Sequence, residues 1–301
     1  MKLNKFLFLY LLAGISLMSC DKDDDSPEVV PPRDRGEQEL TDQAALDAYL
    51  DTHFYNYEEF EAAPEGFDFQ IEIDTINADN AGKTPLSESP LLEKKNFNYE
   101  GVNYTYYVLK VREGAGEMPQ PKFSDSVFVS YKGTLLNRST FDSSQNPVWF
   151  DLVQTIPGFG LGITEFRGAS GFEVREDNTI EWNNDYGVGA VFLPSGLAYF
   201  NAFRGTIPSY SPLVFAFHLY GVNEADHDRD GIPSWREDLN EDKILGNDDT
   251  DGDLVPNYAD SDDDGDFIPT REEISDEDGN IIFPYPDSND DGTPDYLDPN
   301  I

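Results

Sequence analysis

The sequence predicts an α+β protein with a mainly antiparallel sheet, a helical segment before the sheet and an irregular acidic tail after it. Three observations lead there. Between Tyr104 and Val222, four runs rich in aromatic and β-branched residues are separated by Gly and Pro, the signal of short strands joined by turns. Ahead of them, Leu46, Tyr49, Leu50 and His53/Phe54 recur at helical spacing. From Asn223 onward 27 acids face 4 bases, and Asp recurs at alternate positions without the apolar period of a helix.

The chain begins "MKLNKFLFLYLLAGISLMSC", in which Lys2 and Lys5 precede an apolar run too short to span a bilayer. Residues 1–19 therefore read as a secretory signal. "LMSC" resembles the bacterial lipobox, which implies acylation of Cys20 and attachment to a membrane; the alternative is an ordinary signal peptide with a chance cysteine. Cys20 is the single cysteine, so it can form no internal disulfide. The resemblance implies a cell-envelope, outer-membrane lipoprotein, on the periplasmic face or, given the following "DKDDD", on the cell surface. Residues 20–38 are acidic, polar and broken by proline, as expected of a tether. A formal charge of −40 argues against nucleic acid or an anionic membrane surface as partner and makes cations the natural one.

Residues 39–95 form an N-terminal extension, with a helix capped by Thr41 or Asp42 and a packed or half-buried His53 on its face. "FDFQIEIDTI" alternates Phe67, Phe69, Ile71 and Ile73 with polar residues, the period of a half-buried strand, and a loop follows. The sheet runs are "YTYYVLKV", "SVFVSYKGTLL", "GVGAVFLP" and "PLVFAFHLYGV". In the last, Leu213, Phe215, Phe217 and Leu219 share one face, so His218 is expected to point outward.

The stretch "STFDSSQNP" carries an aspartate beside Ser143 and Ser144, a combination that invites a hydrolase reading. A serine nucleophile needs a general base, usually a histidine held by a carboxylate. The chain has only His53, His218 and His227, none visibly assigned to these serines, so the reading is set aside.

The ordered blocks "VSYKGTLLNRSTFDSS", "IPGF", "FLPSGLAY" and "GTIPSYSPLVFAFHL" make residues 96–222 resemble the FKBP-type peptidyl-prolyl isomerases. The resemblance implies a twisted antiparallel sheet wrapped around one short helix, with a proline pocket between them. It assigns Tyr131 to the pocket lining, Phe141 and Asp142 to an aromatic and acidic wall, and the backbone N–H of Ile156 to the bound peptide. Phe159 falls where the family usually has a tryptophan floor, Tyr199 supplies a hydroxyl, Ile207 belongs to a flap and Phe215 closes the base. Ser143 and Ser144 become turn formers. No cofactor is implied for catalysis, and proline-containing exported proteins are the implied clients. Residues 167–185 form an insertion near the pocket that reads as a lid, an obstruction or a surface hairpin.

In the tail, residues 223–301, Asp226, Asp228, Asp230, Gly231 and Glu237 match positions one, three, five, six and twelve of a calcium-binding loop. Asp287, Asn289, Asp291, Gly292 and Asp298 repeat the pattern. Partial versions occur at Asp238, Asn240 and Asp242, at Asn247, Asp249 and Asp251 before Gly252, and at Asp260, Asp262 and Asp264 before Gly265 with Arg271 at position twelve. Alternating hard oxygens suit calcium. Prolines inside the loops argue against paired EF-hands, and the pattern resembles the thrombospondin type 3 repeats, in which ions stand in for a hydrophobic core. A solvated acidic tail without defined sites is the alternative, with His227 facing solvent. The FKBP resemblance thus implies an isomerase that assists folding of exported or envelope proteins. A non-catalytic peptide-binding chaperone module, or a calcium-dependent adhesion or spacer protein, is the other reading.

Overall fold

A computed structural model describes residues 31–114 and 119–301; the signal segment and Cys20 lie outside them. Among the described residues no helix is long and apolar enough to cross a membrane.

Helix α1 spans Arg35–Thr52 and starts earlier than the sequence suggested. Its N-cap is Asp34, whose carboxylate accepts the Glu37 N–H at 2.9 Å, so neither Thr41 nor Asp42 caps it. Tertiary contacts hold the extra turn. Arg35 pairs with Glu100 at 2.6 Å and lies over the Phe200 ring, so the last residues of the expected tether are structured. A strand β1 (His53–Tyr55), a short helix α2 (Tyr57–Ala62) and a strand β2 (Ile73–Thr75) follow, with β1 and β2 paired antiparallel. The strand expected over residues 67–76 is thus reduced to its last part. Phe69 takes a left-handed φ of 58°, and Phe67 packs against Phe69 and Phe60 with ring centroids 4.9 and 5.0 Å apart. Local ring packing outweighs the alternation where no neighbouring strand is available.

The main sheet comprises β3 (Leu92–Tyr99), β4 (Val102–Arg112), β5 (Ser126–Leu135), β6 (Thr140–Asp151), β9 (Gly187–Leu193) and β10 (Leu213–Asn223). Its order is β3-β4-β9-β10-β5-β6, antiparallel throughout. Helix α3 (Pro157–Ile163) fills one face, with proline at its first position, where the missing N–H costs nothing. The helix sits close to β9: a Cβ on Gly162 would fall 2.1 Å from a Val191 methyl. Phe159, Ile163, Phe166, Val191, Phe215, Phe217 and Leu219 form the core on this side.

The opposite face is also covered. Leu46, Tyr49 and Leu50 of α1 pack with Leu109, Val188, Ala190, Phe192 and Val214, so every residue of β9 is buried. His218 is therefore buried beneath the extension, at 3 % exposure, not outward-facing. Its Nε2 lies 2.9 Å from the Phe69 carbonyl and its Nδ1 3.1 Å from the Tyr220 hydroxyl. Ser143 and Ser144 lie within the edge strand β6, opposite Lys132 and Tyr131, and form no turn.

The insertion is a hairpin of β7 (Phe172–Val174) and β8 (Ile180–Trp182). Trp182 rests on Phe172, Phe128 and Tyr220. The tail follows β10 as a series of loops and single 3-10 turns, with one short helix, α4 (Thr270–Glu273). It has a small apolar cluster of its own, Ile232, Ile274 and Tyr296, so the expectation of no hydrophobic core holds only in part.

Candidate active site

Helix α3, strands β5, β6 and β10, and the segment 199–207 enclose a cleft of about 910 Å³. Tyr131, Phe141, Asp142, Ile156, Phe159, Tyr199, Ile207 and Phe215 all line it. The register explains how. Phe215 and Phe217 of β10 face Gly133 and Tyr131 of β5, and Gly133 leaves room where a Cβ would lie 2.6 Å from the Phe141 ring. The glycine of "YKG" thus lets Phe141 fold over β5 and meet Phe215 edge-on at 5.4 Å.

Phe159, 2 % exposed, forms the floor from α3 and contacts Phe215 at 5.3 Å and Phe150 at 5.9 Å, both edge-on. Edge-to-face rings at such distances are mutually attractive and hold one another's orientation. Phe150 also packs on Tyr131 at 5.1 Å. Ile156 is the N-cap of α3 at the mouth. The turn beside it is held by reciprocal backbone bonds, Arg204 N–H to Ile207 O at 3.1 Å and Ile207 N–H to Arg204 O at 2.8 Å.

At the acidic edge, the Tyr131 hydroxyl donates to Asp142 Oδ2 at 2.6 Å. Burial, then the hydrogen bond and charge of Asp142, push the Tyr131 phenol well above its ordinary range, so it keeps its proton. Neither Ser143, Ser144 nor any histidine lines the cleft. Its polar groups can orient an amide, but they contain no paired nucleophile and base. The sequence reading missed Trp149, Phe150, Asp151, Gln154 and Arg204 as lining residues. Phe150 carried a legible signal, an aromatic further along the same strand as "FDSS". No residue of the 172–182 hairpin lines the cleft, so this insertion neither covers nor blocks it.

The tail carries five groups of three carboxylates close enough to share an ion. One hydrogen-bonding scheme recurs through it. The sixth-position N–H donates to the first-position carboxylate in the pairs Gly231–Asp226, Lys243–Asp238, Leu254–Asp249, Phe267–Asp262 and Gly292–Asp287, at 2.9–3.2 Å. This register corrects two loops. The third is Asp249, Asp251 and Asp253 with Asp260 at position twelve, and the fourth is Asp262, Asp264 and Asp266 with Glu273, not Arg271, at position twelve. Alternating Asp makes a two-residue slip invisible to spacing, and glycine misleads because Gly252 and Gly265 occupy position four, also at positive φ. Asn247 bonds to Asn240 and Asp242 and so belongs to the second loop, whose three grouped carboxylates are Asp238, Asp242 and Asp248. In the fifth loop the Asn289 amide bonds Asp291 and Asp298.

His227 is half-buried, not solvent-facing: its Nδ1 lies 2.8 Å from Ser234 Oγ and its Nε2 3.3 Å from Asp151 Oδ1. The tail is thereby tied to a residue of the cleft wall. A buried contact, Ala225 N–H to Asp125 Oδ1 at 3.2 Å, adds to the junction.

Comparison with known proteins divides the chain in the same way. The family model described as FKBP-type peptidyl-prolyl cis-trans isomerase matches residues 118–220, and that described as BamM C-terminal matches residues 227–286. Over 182 residues the chain is 31 % identical to an FKBP-type peptidyl-prolyl cis-trans isomerase FkpA of Aeromonas hydrophila, covering 58 % of this chain and 60 % of that one. It is 27 % identical over 188 residues to the FkpA of Escherichia coli strain K12, covering 60 % and 62 %. The chain thus spans about 60 % of the length of these relatives. The crystal structure of the Escherichia coli FkpA aligns with a TM-score of 0.35 at 23 % identity, covering 62 % of this chain and 63 % of that one.

Proposed function

We propose that residues 96–222 act as a peptidyl-prolyl cis-trans isomerase of the FKBP type, assisting the folding of exported or envelope proteins from a lipid anchor at Cys20. The observation that carries this reading is the cleft, an apolar aromatic chamber with one acid-paired tyrosine and no nucleophile. Such a site suits a reaction in which no covalent bond breaks. Rotation about an X-Pro bond faces a barrier of about 18–20 kcal/mol because resonance gives the C–N bond double-bond character. Phe159, Phe215, Phe150 and Ile207 withdraw water from the amide, which weakens its charge-separated resonance form, and they hold the proline ring while the carbonyl turns. Asp142 fixes Tyr131, and Tyr199 offers a second hydroxyl at the rim. Each ~1.4 kcal/mol of preference for the twisted amide is worth about tenfold in rate.

The tail fits calcium by its donor set. Its grouped oxygens are hard, and several are buried without a hydrogen-bond partner, among them Asp264 Oδ2, Glu273 Oε2 and both oxygens of Glu237. The five loops would hold the ions, which would cancel charge and fix the loops against one another, as in thrombospondin type 3 repeats. This part is structural and supplies no step of the isomerisation.

An isomerisation assay with a short X-Pro peptide and with a proline-limited refolding protein tests the reading, using the full chain with calcium and with chelator. Acceleration that is lost on changing Asp142 or Tyr199 is the expected result. Folded protein that accelerates neither substrate, yet holds the refolding client, would make the domain a peptide-binding chaperone instead. Protein that does neither would leave the tail, as an adhesion or spacer element, as the working part.

A further inference from the structure

Among the five loops of the tail, position two carries an acid only once. That position is His227, Leu239, Thr250 and Ser288 in four loops, but Asp263 in the fourth. Asp263 does not face its own loop's carboxylates. It lies with Asp230 and Glu237 of the first loop, each offering a carboxylate oxygen within 4.8 Å of the others. All three are buried, at 1 % exposure for Asp263, 2 % for Asp230 and 1 % for Glu237.

At least one oxygen of each of these three carboxylates has no hydrogen-bond partner. Asp263 Oδ2 accepts the Thr270 hydroxyl at 2.9 Å, and Asp230 Oδ1 accepts the Ile232 N–H at 2.7 Å. Asp263 Oδ1, Asp230 Oδ2, Asp228 Oδ2 and both oxygens of Glu237 have no partner. The charges facing Glu237 are the carboxylates of Asp228, Asp230, Asp263 and Asp226. Arg271 stands near Asp230, but its guanidinium also donates to the Gly279 carbonyl. Glu237, buried with neither oxygen hydrogen-bonded and with carboxylates as its strongest charged neighbours, is in one of the most unfavourable arrangements a protein can hold. A cation removes the conflict.

We infer that Asp230, Glu237 and Asp263 bind one divalent, oxygen-seeking cation, calcium by its ligands, that joins the first loop to the fourth. The inference rests on the reading of the tail as calcium-binding and adds a site that the repeat pattern does not contain. Calcium takes carboxylate oxygens at about 2.3–2.6 Å, so three oxygens all within 4.8 Å of one another can reach a single ion. The ion closes residues 238–262 into a loop, acting as a non-covalent cross-link. It also fixes the first loop, which carries His227, against the rest of the tail.

The test is calorimetric calcium titration of the full chain and of Asp263→Asn, which keeps the size and the Thr270 hydrogen bond but loses the charge. The expected result is one fewer tightly bound calcium per chain in Asp263→Asn, or at least a tenfold loss of affinity at one site, the remaining sites being unchanged. Glu237→Gln should affect the same site, and the double variant should lose no more ions than Glu237→Gln alone. Asp290→Asn, at an exposed fourth position, should bind as the parent does. Calcium stoichiometry and affinities in Asp263→Asn within twofold of the parent would overturn the cross-loop site while leaving the single-loop sites standing. A parent chain that binds no calcium would overturn both readings together. Limited proteolysis guards against a folding defect. Asp263→Asn should be cut within residues 238–262 in calcium while the 96–222 domain stays intact; equal resistance in parent and variant would count against the cross-link.

Discussion

Asp42 on helix α1 accepts two hydrogen bonds from Ser195 through one oxygen, the backbone N–H at 2.8 Å and the hydroxyl at 2.6 Å. Ser195 opens the turn that leads to Tyr199 at the cleft, so the extension reaches the site through a buried contact. The other Asp42 oxygen accepts from the Gln38 amide at 2.7 Å. Asp42→Ala should leave the Ser195 donors unpaired in a buried place, at a cost of about 1–3 kcal/mol. Thermal unfolding checks this, and Ser195→Ala, which removes only the hydroxyl, should cost less. If α1 positions Tyr199, Asp42→Ala should also raise KM for the X-Pro peptide, whereas a purely structural role would lower Tm and leave KM alone.

Tyr131 and Asp142 form the polar edge of the cleft. Asp142→Ala should lower kcat/KM for an X-Pro peptide about tenfold, the effect of losing ~1.4 kcal/mol of transition-state preference. Tyr131→Phe should act in the same direction. Because burial and Asp142 raise the Tyr131 phenol above its ordinary range, no basic limb from its ionisation should appear in the pH profile below pH 10. A limb at pH 9 that vanishes in Tyr131→Phe would overturn the assigned geometry.

The cleft was legible in the sequence because its blocks are local: "YKG", "FDSS", "IPGF", "FLPSGLAY" and "GTIPSYSPLVFAFHL" each place residues by their strand or turn, and the eight residues so named meet in one space. What was not legible depended on contacts between distant segments. Nothing near His218 in sequence says that α1 and Phe69 will cover its face of the sheet. Similarly, His227 follows an ordinary acidic pattern, and only the path of the tail past Asp151 buries half of it. The loop register failed for a different reason, since a period of two cannot distinguish Asp260 from Asp262 as a starting point. Only the acid at position twelve breaks the tie.

Glu39 predicts a pH-dependent stability. Burial, reinforced by nearby Asp42 and opposed by the Thr105 N–H, raises its carboxyl from an unfolded value of 4.5 to about 7. A folded value above the unfolded one means that the stabilisation is full below pH 4.5 and is lost as pH rises through 7. With allowance for solvent at its accessible edge, the loss is on the order of 1 kcal/mol, or about 2–4 °C in Tm. Melting at pH 5 and pH 8 should show this drop in the parent and less of it in Glu39→Gln. An equal drop in both would assign the effect to other groups.

The tail should respond to calcium as a whole. Its 27 acids and 4 bases leave a formal −23 over residues 223–301, against an apolar cluster centred on three residues, Ile232, Ile274 and Tyr296. So small a core cannot offset that much self-repulsion, and chelation should expand the segment. X-ray scattering of the full chain should give a smaller radius of gyration in millimolar calcium than in chelator. Calcium at a hundred times its dissociation constant should add about 2.7 kcal/mol per site to the tail's stability. Since Asp151 is held by His227, peptide turnover measured in the same two conditions separates a spacer from a regulator. Compaction with unchanged kcat/KM would confine the ions to the tail, and compaction with altered KM would carry their effect to the cleft wall. Equal dimensions with and without calcium would overturn the ion-organised tail.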